Sequence, residues 1–313
     1  MTDLDPILKA LAAQQRAINA ALSQSMGGFA EVMGQISADL ARSMPAVQET
    51  LARAIGAFAN AQAWDKQSRE YAVAMLALGW PPVPDLYLSN IQEIVTRFPT
   101  EDPVTFASEV SDFLVHFYSP EELDRKLDGW RRLRWLDGRI KILEKVIKAH
   151  CAGDFELSIP AVLPQIEGVV ASGFAHSGRL AGHQLTALLD RLLTAEEDQT
   201  DAAYRQYIET VLLVGFEHGT PLGSGLSRHA ILHGADTNYA TIENSLRAIL
   251  LFDYLASSFR IVSLEGSAVA HMPGCAHVTR STRSRSVFKT WRSAKEHGKI
   301  ACRTCAPDRT LYP

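Results

Sequence analysis

Cysteine is scarce in this sequence, and long hydrophobic runs are missing from it. Four cysteines among 313 residues, three of them after residue 270, do not resemble a disulfide framework. No stretch reaches the ~18 apolar residues of a membrane-spanning helix, and the first residues lack a basic segment followed by an apolar core. We therefore expect a soluble, cytoplasmic protein without membrane association.

Positive charge is outnumbered by negative charge in the chain as a whole, but it exceeds negative charge at one end. The formal net charge is −4, which by itself argues against a nucleic-acid partner. Residues 266–313, however, contain nine Lys and Arg against two acids, a net of +7 that leaves −11 for residues 1–265. This local excess favours a nucleic-acid surface near the C-terminal end, most of all along the run Arg280–Arg285.

The composition divides the chain into three parts. Residues 1–63 are rich in Ala and Gln and space their apolar residues by four and three, which predicts a helical, coiled-coil-like arm. This arm either binds a partner or a second copy, or packs as two amphipathic helices on the rest of the chain. Residues 64–265 show helical periodicity, with no alternation long enough for a sheet before residue 260. Residues 266–313 form a small module with few apolar residues.

Local signals predict where the helices of residues 64–265 lie. Ser119 and Pro120 suit the N-cap and the first position of a helix, and acids follow in its first turn. Apolar residues at helical spacing predict further helices, and a new unit is predicted to begin at Ser158. The other predicted helices cover Leu86–Phe98, Thr105–Tyr118, Trp130–His150, Leu185–Leu193 and Tyr204–Phe216. These patterns predict an all-α bundle.

An unusual polar triplet lies in a segment that otherwise looks like core. Arg228, His229 and His233 stand beside three apolar residues, although desolvating polar groups costs free energy unless they find partners. Gly234 is predicted to end the short helix that carries them. Thr241, with an acid two positions later, is predicted to begin the next helix, whose Leu-rich sequence indicates a core position.

The spacing Arg228-x4-His233, with a polar residue directly after the arginine and a glycine break behind, resembles the Arg-x4-6-His motif of the HEPN superfamily. Four residues near the Leu-rich helix resemble one bacterial branch of it: Tyr239, Thr241, Asn244 and Ser245. The resemblance covers residues 125–260 and implies a HEPN-like helical bundle that is a metal-independent endoribonuclease of phage defence or a toxin system. It also implies RNA as substrate and a homodimer in which two 226–240 segments face each other.

The chemistry of RNA cleavage suits these side chains. Attack by the 2′-OH of the RNA needs a group that moves protons, and His233 belongs to the residue type that most often does so in enzymes. It also needs a cation at phosphorus, and Arg228 stays charged and presents two N–H groups to phosphate oxygens. His229 would position either group. Residues five apart on a helix point about 140° apart, so two copies of the motif are expected to line one groove.

The stretch Gln165-Ile166-Glu167-Gly168 resembles a Gln-x-Glu-Gly that similar proteins carry on a helix facing the Arg-His motif. The resemblance implies that Glu167 orients or pairs with Arg228 or a histidine. The residues alone leave a simpler alternative open, in which Arg228 pairs with a carboxylate and His233 caps a helix C-terminus. The chain would then be a non-catalytic helical scaffold whose C-terminal module binds a nucleic acid or a protein.

Two pairs of metal-binding residues lie in the C-terminal module. His271-x3-Cys275 is followed 27 residues later by Cys302-x2-Cys305, and paired ligands of this kind suit one tetrahedral zinc ion. Three thiolates and an imidazole would form a closed structural site with no position for water. The module resembles small zinc-binding domains appended to bacterial nucleases.

The fourth zinc ligand is left open by the spacing, because His277 or His297 could replace His271. Removal of zinc is expected to unfold residues 266–313, because metal-binding free energy appears there as folding free energy. Intrinsic cleavage is expected to survive, since the chemistry assigned to the polar triplet uses no metal. Trp291 is expected in the core of the module.

Overall fold

The computed structural model describes residues 66–194 and 198–307, so the predicted arm at 1–63 lies outside the described residues. The described chain is mostly helical and has one small sheet near its C-terminal end. This confirms the broad prediction of a helical protein. The described residues after Lys66 belong to one compact unit.

The helices of the bundle are numbered in chain order within the described residues. They are α1 (Leu88–Arg97), α2 (Pro103–Phe117), α3 (Pro120–Arg132), α4 (Asp137–Ala152), α5 (Phe155–Phe174), α6 (Gly182–Leu192), α7 (Gln199–Tyr207), α8 (Arg228–Leu232) and α9 (Ile242–Ser258). Residues 66–77 are helical too. Ser119 caps α3, where its hydroxyl oxygen accepts the N–H of Glu122 (3.5 Å) and Pro120 holds the first position, as predicted.

Helix α5 is the core helix of the bundle and packs against α4, α6, α8 and α9. It is long and apolar enough to cross a membrane by length and composition, but more than half of that stretch is buried inside the protein. Its apolar side chains are therefore accounted for by their place in the core. The fully buried ones include Ile159, Val162, Leu163, Val169 and Val170.

Helix α5 begins at Phe155 and runs through two prolines, so the predicted start at Ser158 is wrong. Pro160 has no N–H, so the carbonyl oxygen of Glu156, four residues earlier, loses its helical donor. The hydroxyl of Tyr239 donates to that oxygen over 3.4 Å. The loop before α9 thus replaces a hydrogen bond that the proline removes.

The predicted helix Trp130–His150 is interrupted between α3 and α4 by a 3₁₀ segment, Arg134–Leu136. Trp130 and Leu136 are both buried. On one continuous helix, residues six apart point about 120° away from each other. The interruption lets both side chains enter the core.

The predicted helix Tyr204–Phe216 also ends early. Helix α7 passes into a π-helical segment, Ile208–Leu212, and residues 213–227 form a loop. This loop contains four glycines, which disfavour a helix. Phe216 therefore lies in a loop rather than on a core helix.

The C-terminal sheet has four short strands in the order β3-β1-β2-β4. They are β1 (Ile261–Leu264), β2 (Val269–His271), β3 (Arg285–Phe288) and β4 (Ile300–Ala301), with α10 (Ala276–Thr279) and α11 (Trp291–Glu296) between them. Strand β1 pairs antiparallel with β2 and β3, whereas β2 and β4 are parallel. Strand β1 precedes the boundary predicted at residue 266, and Trp291 packs against a small core that includes Ile261 and Phe288.

Arg285 anchors the sheet to the bundle. Its guanidinium is buried and donates to the carbonyl oxygens of Ser172 (3.1 Å) and Gly173 (3.2 Å) near the C-terminal end of α5. A cation is favourable there, because the last carbonyls of a helix lack helical partners and carry partial negative charge. The predicted nucleic-acid surface along Arg280–Arg285 is therefore wrong for Arg285.

Asp201 provides a second link between sheet and bundle. Its carboxylate is fully buried and accepts the N–H of Thr194 (2.9 Å) and the hydroxyl of Tyr254 (2.6 Å). It also pairs with the ammonium of Lys289, which follows β3. A buried charge needs partners of this kind.

Candidate functional site

The polar triplet lies on and directly after α8, a short helix that the loop 213–227 leads into. Ser227 caps α8, because its hydroxyl oxygen accepts the N–H of Ala230 (3.2 Å). The same hydroxyl donates to the carbonyl oxygen of Val214 (2.7 Å) and so joins the two ends of the loop.

Gly234 ends α8 as predicted. Its φ of 72° is left-handed, a conformation that glycine adopts without a steric penalty. Its N–H donates to the carbonyl of Ile231 (3.1 Å), and the N–H of Ala235 donates to that of Ala230 (2.8 Å). These two bonds close the helix and place His233 at its C-cap.

The start of α9 fixes the loops on both sides of α8. Thr241 caps α9 by accepting the N–H of Asn244 (3.2 Å), which confirms the predicted start. The buried amide of Asn244 donates to the carbonyl oxygens of Gly225 (2.9 Å) and Tyr239 (3.0 Å). One side chain of α9 therefore holds the backbone on both sides of the triplet through hydrogen bonds.

Arg228 and Glu167 form an ion pair across the contact between α8 and α5. Their side chains are only 19 % and 22 % exposed, so the pair is largely shielded from solvent. The Nε of Arg228 is buried and has no hydrogen-bond partner among the described residues. Both side chains border a small cavity whose other walls are apolar and include Ile166 and Leu255. The structure thus brings Arg228 and Glu167 together.

The two histidines of the triplet line a different surface. His229 and His233 border an open groove of ≈ 410 Å³ together with Gly215, Phe216 and His218. The imidazole rings of His229 and His233 are nearly parallel (9°), with centroids 6.3 Å apart. Arg228 does not line this groove, so one copy of the chain does not direct the arginine and the histidines to one point.

The environment of His229 favours its neutral form. Burial lowers its pKa below the usual value, and the nearby charges of Arg228 and His233 lower it further, while Glu167 opposes them. A neutral imidazole is able to accept a proton. His233 is exposed, at the end of α8.

Phe216 and His218 belong to this groove, although the sequence did not single them out. The prediction placed Phe216 on a helix, where an aromatic residue is ordinarily core. Glycines at 215 and 219 were the available signal that the helix had ended.

Ser245, one of the residues that carried the resemblance, lies in a buried polar cluster. Its hydroxyl is 2.8 Å from Nδ1 of His150 and 2.6 Å from Oγ of Ser158. All three side chains are buried, and burial lowers the pKa of His150 to about 4. This cluster joins α4, α5 and α9 in the interior and has no open face for a substrate.

The pairing of β2 with β4 brings the predicted metal ligands together. These parallel strands align Ala270 with Ala301, so the residues that follow, His271 and Cys302, emerge at the same edge. The N–H of Cys302 donates to the carbonyl of Ala270 (2.9 Å) and fixes this register. Cys275 and Cys305 follow in the adjoining turns.

The donor set fits a metal ion. One ligand atom from each of His271, Cys275, Cys302 and Cys305 lies within 4.8 Å of the others. Nδ1 of His271 is buried and finds no hydrogen-bond partner within the described residues, although a buried polar nitrogen ordinarily has one. Met272 donates its N–H to Sγ of Cys305 (3.3 Å), the kind of outer contact that orients a metal ligand.

The thiols in this cluster differ in acidity. Burial raises the pKa of Cys302, but hydrogen bonds from Cys305 and Thr304 lower it by more, to about 7. Burial and the neighbouring thiols raise the pKa of Cys305. A metal ion would favour the thiolate form of all three cysteines.

The two alternative histidine ligands occupy other positions. Nδ1 of His277 lies 3.5 Å from Sγ of Cys275 and 3.9 Å from Sγ of Cys302, beside the ligand cluster. His297 is engaged elsewhere, with Nδ1 2.8 Å from the carbonyl oxygen of Ser293. The compact four-residue set contains His271.

Comparisons of this chain with protein-family models, curated proteins and solved structures found no match.

Proposed function

We propose that this protein is a metal-independent endoribonuclease of the HEPN type and that α8 carries its catalytic groups. The observation that supports this most is the pairing of Arg228 with Glu167, because the resemblance of the sequence implied that Glu167 pairs with Arg228 or a histidine. A carboxylate that holds a guanidinium in one orientation prepares it to meet a phosphate.

In the proposed reaction, the 2′-oxygen of the RNA attacks the adjacent phosphorus and the bond from phosphorus to the 5′-oxygen breaks. His233 accepts the 2′-OH proton and, once protonated, returns a proton to the leaving 5′-oxygen. Arg228 stabilises the charge that develops on the phosphate oxygens. His229 positions these groups, and Glu167 holds Arg228.

The separation of Arg228 from the histidine groove favours a site shared by two copies. In a homodimer whose 226–240 segments face each other, the arginine of one copy would meet the histidine of the other. Leu157 on α5 and Leu232 on α8 are exposed apolar residues on the two helices that carry the site.

The C-terminal module is proposed to hold a structural zinc ion through His271, Cys275, Cys302 and Cys305. When bound, zinc would supply folding free energy to the module and no reaction chemistry, since four protein ligands leave no open position. A role in phage defence or as a toxin is proposed on the resemblance alone.

The test uses purified wild type, Arg228→Ala and His233→Ala with total RNA in EDTA. Arg125→Ala and His183→Ala are matched controls, because both residues are exposed and lie on other helices, α3 and α6. Wild type and controls should cleave, and the two site variants should be slower by about 10²-fold or more. Equal cleavage by all proteins, or cleavage by none, would reject the proposal.

A mixing experiment tests the shared site. Arg228→Ala and His233→Ala are each expected to be slow alone, but their heterodimer contains one site with both residues if the site spans two copies. Co-refolded variants should therefore regain part of the wild-type rate. A monomer that cleaves RNA, or inactive mixed dimers, would rule out the shared arrangement.

The second candidate is a non-catalytic scaffold whose C-terminal module binds a nucleic acid or a protein. The orientation of Arg228 favours it, because the guanidinium is held in an internal ion pair beside an apolar cavity and away from the groove. Growth inhibition on expression separates the two candidates. If the protein is a nuclease, His233→Ala should inhibit growth less than wild type does. If it is a scaffold, wild type and His233→Ala should inhibit growth equally.

A further inference from the structure

The groove beside α8 contains an aromatic residue for which the cleavage chemistry has no use. Phe216 is half-buried in the loop 213–227. Its ring centroid lies 5.1 Å from that of His218, with the planes perpendicular (88°), and 6.0 Å from that of His233, with the planes tilted by 30°. At this centroid distance and tilt, the ring of His233 lies near that of Phe216 but does not stack closely face to face on it.

The loop that holds Phe216 is fixed at both ends and open in the middle. The bond from the Ser227 hydroxyl to the carbonyl of Val214 brings its ends together beside α8. Gly215 presents no side chain to the groove, and Gly219 turns the chain with a left-handed φ of 83°. The result is an accessible space of ≈ 410 Å³ bordered by flat rings.

We propose that this groove binds one unpaired nucleobase of the RNA substrate, stacked on Phe216 beside the phosphate that His233 serves. This inference rests on the proposed nuclease function. Aromatic side chains bind any base through its ring face, and histidine rings beside them can donate or accept hydrogen bonds at base edges.

A nucleobase suits the lining of this groove better than a phosphate does. The described residues that line it in one copy include no lysine or arginine, so the part of the groove beside Phe216 offers a phosphate group little fixed positive charge. A base in a duplex is covered on both faces by its neighbours, so it cannot stack on Phe216 without leaving the helix. The groove therefore selects single strands, loops and bulges over duplex RNA.

Binding can be measured apart from cleavage with a 2′-O-methyl oligonucleotide, which has no free 2′-OH and cannot be cut. Fluorescence anisotropy would compare wild type, Phe216→Ala, Phe216→Trp and Tyr87→Ala. Tyr87 is a matched control, since it is an exposed aromatic residue directly before α1. Circular dichroism checks that each variant is folded.

Phe216→Ala should weaken single-strand binding by about tenfold, because one stacked base is lost. Phe216→Trp should retain affinity, and Tyr87→Ala should match wild type. The dependence of affinity on salt should be the same in Phe216→Ala and wild type, since no phosphate contact changes. Duplex RNA of the same sequence should bind these proteins equally.

An abasic scan locates the base. Bases are removed from the oligonucleotide one at a time. The affinity of wild type should fall when the base at one position is missing, whereas the affinity of Phe216→Ala should not change at that position. If wild type cleaves RNA but Phe216→Ala binds the single strand equally well, the base site is rejected while the nuclease stands. If wild type neither binds nor cleaves single strands, both proposals fail.

Discussion

Arg228 and Glu167, which are 61 positions apart in the sequence, meet as an ion pair across the contact between α8 and α5. Because about four fifths of each side chain is shielded from solvent, neither charge is fully solvated if the other is removed. The pair is therefore expected to contribute to the stability of the bundle.

We expect Glu167→Ala to lower the free energy of unfolding by about 2 kcal/mol, because the guanidinium loses a charge-assisted hydrogen bond. Arg228→Ala should cost a similar amount. The double variant should lose about 1–2 kcal/mol less than the sum, since either change alone breaks the pair. Urea denaturation measures all four proteins, and strictly additive losses would show that the pair contributes nothing. Glu167→Gln, which keeps an acceptor, should be less destabilised than Glu167→Ala.

A larger loss is expected at Asp201. Replacing it with alanine leaves Lys289, the Tyr254 hydroxyl and the Thr194 N–H without their shared acceptor, and such changes cost about 3–5 kcal/mol. Asp190→Ala is the control, because its carboxylate is 57 % exposed and its partner Arg205 also pairs with Glu209. That variant should stay within about 1 kcal/mol of wild type. Equal denaturation midpoints for the two variants would contradict this account.

Loss of the metal is expected to change the structure outside the C-terminal module as well as within it. We expect the wild-type protein to release about one zinc ion per chain when denatured, and Cys302→Ser to release none. Cys151→Ser is the control, because Cys151 is exposed on α4 and distant in sequence from the ligands. Zinc content is measured with a chromogenic chelator, and a protein that copurifies with no metal would refute the site.

Hydrogen exchange then follows the structural effect of zinc removal. Since Arg285 binds the carbonyls of Ser172 and Gly173, unfolding the sheet should also raise exchange near the C-terminal end of α5. The sequence predicted that only residues 266–313 would respond. Exchange that changes in the module and nowhere in α5 would favour that narrower prediction.

The buried histidine of α4 makes stability depend on pH. Burial lowers the pKa of His150 to about 4 from the ordinary value of 6.5. Between these values the unfolded chain binds a proton and the folded chain does not, so stability is full above pH 6.5 and falls as the pH drops to 4. The full contribution is about 3 kcal/mol.

His150→Gln should flatten the pH dependence of unfolding over that window, because glutamine does not titrate. His183→Gln, a change at an exposed histidine, should keep the wild-type dependence. Denaturation curves at pH 4.5, 5.5 and 7 compare the three proteins. If both variants have the wild-type dependence, another group is responsible.

Signals that act within a few residues predicted the structure well. The Thr241 cap, the Gly234 stop and the Ser119-Pro120 start depend on one turn of backbone, and each is present as predicted. The spacing of cysteines also predicted a cluster, since two short pairs need only one strand register to meet.

Features that depend on distant parts of the chain were not predictable from the sequence. Helix α5 continues through Pro160 although proline disfavours it, and the hydroxyl of Tyr239, 79 positions later, replaces the missing donor. Arg285 looked like a surface cation because its acceptors lie 112 and 113 positions earlier. Phe216 was predicted to lie on a helix, and nothing in the neighbouring sequence shows that a groove borders it.

The parallel pairing of β2 with β4 also sets an order of events during synthesis. The chain up to Ser258, which completes the bundle, leaves the ribosome before any of the four clustered ligands, and β4 cannot take its place until residue 301 has been made. Because N-terminal parts of a chain generally fold first, the helices with Arg228 and His233 form while the sheet is still missing its edge strand. The set of four clustered ligands is thus completed late in synthesis, and a nascent chain contains the polar triplet before it contains the complete C-terminal module.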